Sequence, residues 1–379
     1  MDYNFDQVID RRGTASLKWD RYKGRDVLPM WVADMDFMSP TEVIEAISIR
    51  ARHGIFGYPV PPDGLVEAVQ AHMEQTYGWS IQPDWIVWIP GVVTGLNIAC
   101  RAIGEPGDQV AVFTPIYPPF LAAPRHWARQ LLRIPLARGP GRYCLDIDRF
   151  KAAISPRTKL LLFCNPHNPV GRSFDREELK AIAQVCVQAG IVICSDEIHC
   201  DLILDQVRHV PMAMLDREVQ AQTITLMAPS KTFNIPGLGC AMAIIPNGRL
   251  RRQFADARAG IVPHVNILGY QAALAAYRYG EPWRRQLLAY LRDNRDLLTG
   301  RINQIKGLAM DHVEATYLAW IDTRPLGLPD PASFFEQAGV GLSDGADFDG
   351  PGFVRLNFGC PRSILTEAID RMALAIERL

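Results

Sequence analysis

Between about residues 84 and 246 the chain alternates short, almost unbroken apolar runs with segments whose apolar residues recur at helical spacing. The runs are WIVWIPG (85–91), QVAVFTP (109–115), RQLLRIPL (129–136), KLLLFCNP (159–166), IVICSDE (191–197), TITLMAPSK (223–231) and CAMAIIP (240–246). A strand with one wet face alternates apolar and polar residues. A continuous run marks a strand covered on both faces, as in a mostly parallel sheet between helical layers. VVTGLNIACRAIG (92–104) and DREELKAIAQVCVQAG (175–190) predict intervening helices, the second with acidic residues in its first turn and Gly190 as its C-terminal stop.

After about residue 280 the pattern changes. WRRQLLAYLRDNRDLLTGRINQI (283–305) predicts one long amphipathic helix with an interruption near Gly300. ATYLAWIDT (315–323) and GFVRLNFGC (352–360) predict strands of a smaller sheet, and SILTEAIDRMALAIERL (363–379) a closing helix. The expected fold is therefore α/β: a three-layer αβα large domain with a mostly parallel central sheet over residues 46–280. A smaller α+β domain is expected from residues 1–45 and 281–379.

Composition narrows the function classes. The 379 residues are 48% hydrophobic and 21% charged, enough for a large core. Forty basic against 41 acidic residues leave a net charge of −1, without the basic excess of a nucleic-acid or membrane-surface protein. MDYNFDQVIDRRG carries acids and no apolar stretch, so no secretory signal is expected. No run of about 18 uninterrupted apolar residues predicts a membrane span. The eight cysteines show no C-x-x-C pair, which points to buried free thiols in a reducing cytoplasm and away from a cysteine–zinc site.

Chemistry concentrates at the ends of the apolar runs, where ligands bind in open α/β sheets. KLLLFCNPHNPVG ends in Asn165, His167 and Asn168; IVICSDEIH in Asp196, Glu197 and His199; TITLMAPSK in Ser230 and Lys231; and QVAVFTPIY in Tyr117. A lysine, a carboxylate, an amide and an aromatic ring match the needs of pyridoxal 5'-phosphate. The lysine forms a Schiff base, and the carboxylate keeps the pyridine nitrogen protonated. The amide donates to the phenolic oxygen, and the aromatic ring stacks on the cofactor.

N-P-x-N-P-x-G (165–171), S-D-E-I-H (195–199) and S-K-T (230–232) occur in the order of fold-type I pyridoxal-phosphate enzymes of aminotransferase class I/II, which this chain resembles. FDQVIDRRGTASLKWD (5–20), LPMWVADMDF (28–37) and GIFGY (54–58) are similar to the MalY/PatB branch of cystathionine β-lyases and related carbon–sulfur lyases. The resemblance covers nearly the whole chain and implies the aspartate aminotransferase-like fold. It implies Lys231 as the Schiff-base lysine, Asp196 as the pyridine-nitrogen partner, Asn168 as the donor to the phenolic oxygen and Tyr117 as the stacking ring. Val93, Thr94 and Ser230 fall where phosphate is held, a helix N-terminus suiting an anion. Tyr58 resembles the tyrosine that reaches a neighbouring subunit's phosphate, which implies a homodimer with shared active sites. Arg355 resembles the arginine that grips the substrate carboxylate, a task suited to its bidentate fork.

Two positions depart from the family. His199 stands where many aminotransferases have the tyrosine of D-x-x-Y, and Gly239 where many relatives have a phosphate-binding arginine. Taken singly, each residue also has an ordinary reading. Lys231 could be a solvated strand-end charge, Asp196 a turn or cap residue, and Asn165 a turn-shaper. Arg355 could pair with a nearby acid, and the tyrosines could be core residues. Trp31, Asp34 and Asp36 could line the substrate entrance or simply pack. E-x-H-x-D (197–201) is a weak metal pattern, and no metal is expected. The ordered set favours a carbon–sulfur β-lyase acting on cystathionine or related cysteine S-conjugates. An aminotransferase and a non-catalytic pyridoxal-phosphate sensor remain as alternatives.

Overall fold

A computed structural model describes residues 3–139 and 141–379. Each of the seven apolar runs forms a strand of one sheet: β1 (Ile86–Ile89), β2 (Gln109–Thr114), β3 (Gln130–Pro135), β4 (Thr158–Cys164), β5 (Val192–Asp196), β6 (Thr223–Met227) and β7 (Ala241–Ile244). The spatial order is β1-β7-β6-β5-β4-β2-β3. All neighbours are parallel except β7, which runs antiparallel to both β1 and β6.

The continuous hydrophobicity of the central strands has a simple cause. Leu160, Leu162 and Cys164 of β4 point into one core, with Leu96, Ala99 and Phe254 from the helices Val92–Ala102 and Gly248–Arg258. The intervening Leu161 and Phe163 point into another, with Leu179, Ile182 and Cys186 of the helix Arg176–Ala189. Alternate residues thus serve opposite faces, and both faces are dry. The helix Arg176–Ala189 begins on a capping box between Asp175 and Glu178 and ends at Gly190 in the left-handed conformation, as its end signals predict.

A four-stranded antiparallel sheet, in the order Ala309–Met310, Leu318–Asp322, Phe353–Asn357, Ser343–Asp344, forms the smaller body. The helices Glu281–Ile302 and Arg362–Glu377 cover it. The first of these runs unbroken through Gly300, contrary to the interruption expected there. One glycine costs such a helix only about 1 kcal/mol, and Trp283, Leu287, Leu291, Leu298 and Ile302 are buried along it. The N-terminal residues belong to the same core: Phe5, Trp19, Leu28, Met30 and Met35 pack with Leu291, Val354 and Leu356. Leu28–Pro29 also pairs in parallel with Val340–Gly341.

Register then decides what reaches the site. In Phe353–Asn357, Val354 and Leu356 face the small core, so Arg355 faces the other way, paired across the sheet with Trp320 and Ser343. No helix among the described residues is long and apolar enough to cross a membrane.

Candidate active site

β4, β5 and β6 lie side by side and parallel, so their carboxyl ends open on one rim. A cavity of about 200 Å³ lies there. Its lining includes Val93, Thr94, Tyr117, Asn168, Asp196, Ser230 and Lys231. Residues spread over almost 140 positions of sequence are thus gathered by strand topology alone. Arg355 lines an adjoining cavity of about 350 Å³, and Tyr117 borders both. Tyr58 is the exception. It is fully exposed on a segment with Ile55, Phe56 and Val60, and lines neither cavity.

The turn after β6 presents Lys231. Backbone bonds from Phe233 to Pro229 (2.9 Å) and from Ile235 to Ser230 (3.0 Å) fix it. The Lys231 Nζ donates to the Ala33 carbonyl at 2.5 Å, and the Tyr317 hydroxyl donates to the same oxygen at 3.0 Å. Burial pushes the amine down to about 8, with Arg355 adding to the fall and Asp34 and Asp196 opposing it. Lys231 is therefore no ordinary surface charge.

Asp196 ends β5, and its Oδ1 accepts from the Ile198 amide at 3.1 Å. Burial lifts this carboxyl to about 7, against the Ile198 amide and Lys231. A carboxyl held this far up accepts a cationic or N–H partner at little cost. Tyr117 precedes the helix Pro118–His126, and its amide donates to the Asn168 carbonyl at 3.2 Å.

Arg355 is only 3% exposed, yet no carboxylate among the described residues pairs with it. It donates to Asn168 Oδ1 (3.0 Å), the Trp31 carbonyl (2.9 Å) and Ser343 Oγ (3.3 Å), and its carbon centre lies 4.6 Å from the Phe348 ring. Its Nε has no hydrogen-bond partner among the described residues. Burial lowers its pKa to about 10, with Tyr117 and Tyr317 opposing. A buried cation normally requires an anion, and here the arginine borders a cavity.

The helix Val92–Ala102 starts at Gly91 with no side-chain cap, so its first amides are open where Val93 and Thr94 meet the cavity. This is a ready anion site. Gly239 explains why no arginine assists: its φ of +57° is left-handed, and a Cβ there would come within 3.2 Å of the Pro90 carbonyl.

Several sequence readings resolve as packing. Asn165 Oδ1 accepts from the Phe174 amide at 3.0 Å and shapes its turn. Glu197 accepts from Ser195 Oγ (2.7 Å), His209 Nε2 (2.8 Å) and the Met212 amide (3.0 Å). Asp201 accepts from the Tyr77 hydroxyl and from His72 Nε2 (3.0 Å). The two acids of E-x-H-x-D are thus committed to separate networks. Asp36 is buried among Lys18, Arg11 and Trp19, at 2.6 to 2.8 Å. Asp34 pairs with Arg11 at 2.5 Å, while Trp31 lines the Arg355 cavity.

Sequence reasoning missed the backbone of residues 31–35. The Trp31 carbonyl meets Arg355, those of Val32 and Asp34 meet Asn357 (2.7 and 2.8 Å), that of Ala33 meets Lys231, and Met35 exchanges bonds with Asn234 (both 2.9 Å). A carbonyl leaves no signature in a sequence.

Residues 25–372 match the aminotransferase class I and II family. The chain belongs to that family. It is 38% identical to cystathionine beta-lyase PatB of Bacillus subtilis, over 98% of this chain and all of the relative. It is 33% identical to protein MalY of Escherichia coli over 99% of both. Among solved structures, that of OvoB superposes with a TM-score of 0.97 at 49% identity, covering 99% of each chain. Within this family frame the residue set fits pyridoxal phosphate. The open helix terminus suits its phosphate, the lifted carboxyl of Asp196 its pyridine nitrogen, and the lowered amine of Lys231 its aldehyde.

Proposed function

We propose that the chain is a pyridoxal-phosphate-dependent carbon–sulfur β-lyase. With water, cystathionine or a related cysteine S-conjugate would yield a thiol, pyruvate and ammonia. The observation that carries this reading is the shared rim: a lowered lysine amine and a raised carboxyl in one cavity, beside a buried arginine with no acid partner among the described residues.

When bound, the cofactor supplies an electron-accepting ring conjugated to the substrate's amino group, so that the α-proton becomes acidic and a β-substituent can leave. The chain's residues do the rest. Arg355 takes the substrate α-carboxylate on its fork and fixes which bond faces Lys231. Lys231, with a pKa near 8, takes the α-proton onto Nζ and holds it while the thiolate departs. Asp196 would hold the ring nitrogen, Tyr117 the ring face and Asn168 the ring oxygen, while the amides of Val93 and Thr94, with Ser230, would hold the phosphate.

The deciding experiment supplies cystathionine without any oxo acid. Catalytic pyruvate and free thiol are expected. Turnover that requires an oxo acid would make the chain an aminotransferase instead. No turnover, with no amino acid altering the cofactor's visible band, would make it a sensor.

Asp196 gives a second expectation, with opposite signs in two states. An acid whose folded pKa is lifted above its unfolded value withdraws stability as pH rises between the two, here from about 4 to about 7. Asp196→Asn should therefore raise the melting temperature of the apoprotein at pH 8. It should also loosen the cofactor, which loses its anionic partner. Unchanged cofactor affinity in Asp196→Asn would remove the assigned role.

The homodimer belongs to the same proposal. Ile49, Ile55, Phe56, Tyr58 and Val60 form an exposed apolar group that a second copy would cover, placing Tyr58 at the partner's phosphate. Sedimentation equilibrium that returns a monomer would remove it. A reducing cytoplasm suits the eight cysteines, none of which is in a disulfide.

A further inference from the structure

We propose that the sulfur substituent that leaves carries a positive charge: it ends in a cation, such as an ammonium, held by Asp330, Asp344 and Asp347 in the cavity that Arg355 lines. This names a substrate class for the lyase read above and rests on that reading.

Tyr117 borders both the Lys231 cavity and the Arg355 cavity, so a substrate whose carboxylate meets Arg355 has the second cavity beside it. Arg355 is 3% exposed, and its Nε has no partner among the described residues. A buried polar atom left unpaired is costly, which marks this wall as one that a ligand completes.

The other charges around the cavity are unevenly matched. The helix Pro331–Gln337 and its cap bring Asp330 and Glu336. The turn Gly345–Phe348, which also sets the Phe348 ring against Arg355, brings Asp344 and Asp347. Glu336 is taken by Arg25 at 2.8 Å. Asp330, Asp344 and Asp347 form no ion pair with a described residue. Against them stands Arg21, whose guanidinium lies over the Trp31 ring at 4.6 Å. Three carboxylates facing one guanidinium leave this side negative.

Capping explains the oxygens but not the charge. Asp330 Oδ1 accepts from the Ser333 amide at 2.9 Å, and Asp344 Oδ1 from the Ala346 amide at 3.0 Å. Asparagine caps as well as aspartate does. Asp347 caps neither element. The cavity that meets the Lys231 cavity at Pro236 gives the contrast. Its acids are Asp34 and Asp36, both held by Arg11, and Asp36 by Lys18 as well. The acids there are neutralised from within the chain; those beside Arg355 are left for something else. Each is close to solvent and worth little alone, so the preference comes from their number.

The test measures kcat/KM of the holoenzyme, by pyruvate release, for three cysteine conjugates of similar size: S-(2-aminoethyl)-, S-propyl- and S-(2-carboxyethyl)-L-cysteine. Their thiolates differ as leaving groups, so the reading is how each ratio to the propyl conjugate moves. In Asp330→Asn/Asp344→Asn/Asp347→Asn, which keeps both caps, the aminoethyl-to-propyl ratio should fall about tenfold. The carboxyethyl-to-propyl ratio should rise. A merely structural change would not move the two in opposite directions. In the unaltered protein the aminoethyl-to-propyl ratio should also shrink between about 0.01 and about 1 M ionic strength, as screening shortens the reach of the acids roughly tenfold. That measurement needs no variant, so it decides the matter should the triple variant fail to fold. An aminoethyl-to-propyl ratio that falls less than about twofold would overturn the inference and leave the acids as caps and surface charges. Pyruvate from cystathionine or S-propylcysteine but none from S-(2-aminoethyl)cysteine would overturn it too. A protein that releases pyruvate from no conjugate would instead overturn the lyase reading on which it stands.

Discussion

Lys231→Ala is expected to lower thiol and pyruvate release from cystathionine by at least about 10³-fold, the upper part of the range for a positioned acid–base group. Two functions are lost at once, the grip on the cofactor and the base that takes the α-proton. The fold should survive. Among the described residues the amine's one hydrogen bond is to the Ala33 carbonyl, and Tyr317 continues to donate to that oxygen. The variant should therefore keep its melting temperature to within a few degrees while its visible band disappears. In the wild type, activity should rise with pH through about 8, because burial sets that value for the amine and only the unprotonated form is a base. A Lys231→Ala protein that releases pyruvate within tenfold of the wild-type rate would end the proposed mechanism.

Arg355→Met is expected to separate activity from stability. The arginine is buried with three neutral acceptors and no carboxylate partner among the described residues, so none of these pairs its charge. Replacing even a buried ion pair by apolar residues is often neutral or stabilising by about 1–4 kcal/mol, and a buried charge without its partner is costlier still. The variant should thus melt no lower than wild type. Its kcat/KM should nevertheless fall by roughly 10²–10⁴-fold, the cost of leaving a substrate carboxylate unpaired, about 3–5 kcal/mol. Arg355→Lys should recover little, because an ammonium cannot replace the planar fork. Retained kcat/KM in Arg355→Met would place the carboxylate elsewhere; a collapse in melting temperature would make the arginine structural.

The two bodies differ in how openly they were written. β4 through β7 were legible because both faces of each strand are dry, and nothing but a covered sheet explains such runs. β3 was legible as a run although it lies at the sheet's edge, where Gln130, Arg133 and Pro135 are exposed. The reversed direction of β7 was not legible, since strand direction leaves no trace in apolar composition. Gly300 misled because a local propensity of about 1 kcal/mol was weighed without the buried face that overrides it. In the site, the side chains at strand ends were found because their positions follow from the sheet. Arg355 could be named by pattern, but its exposure to the cavity follows from the register of Phe353–Asn357, and the absence of a paired acid required coordinates. The backbone of residues 31–35 could not be found at all.

That backbone has a consequence of its own. Four successive carbonyls, from Trp31 to Asp34, hold Arg355 and Asn357 of one small-sheet strand and Lys231 of the turn after β6. Because the segment is read through its main chain, the identity of a residue such as Ala33 matters less than its place in the count. A substitution at Ala33 keeps that carbonyl in place, while gain or loss of one residue would shift every carbonyl off its partner together. Length, more than the side chain at that position, is what the segment must keep.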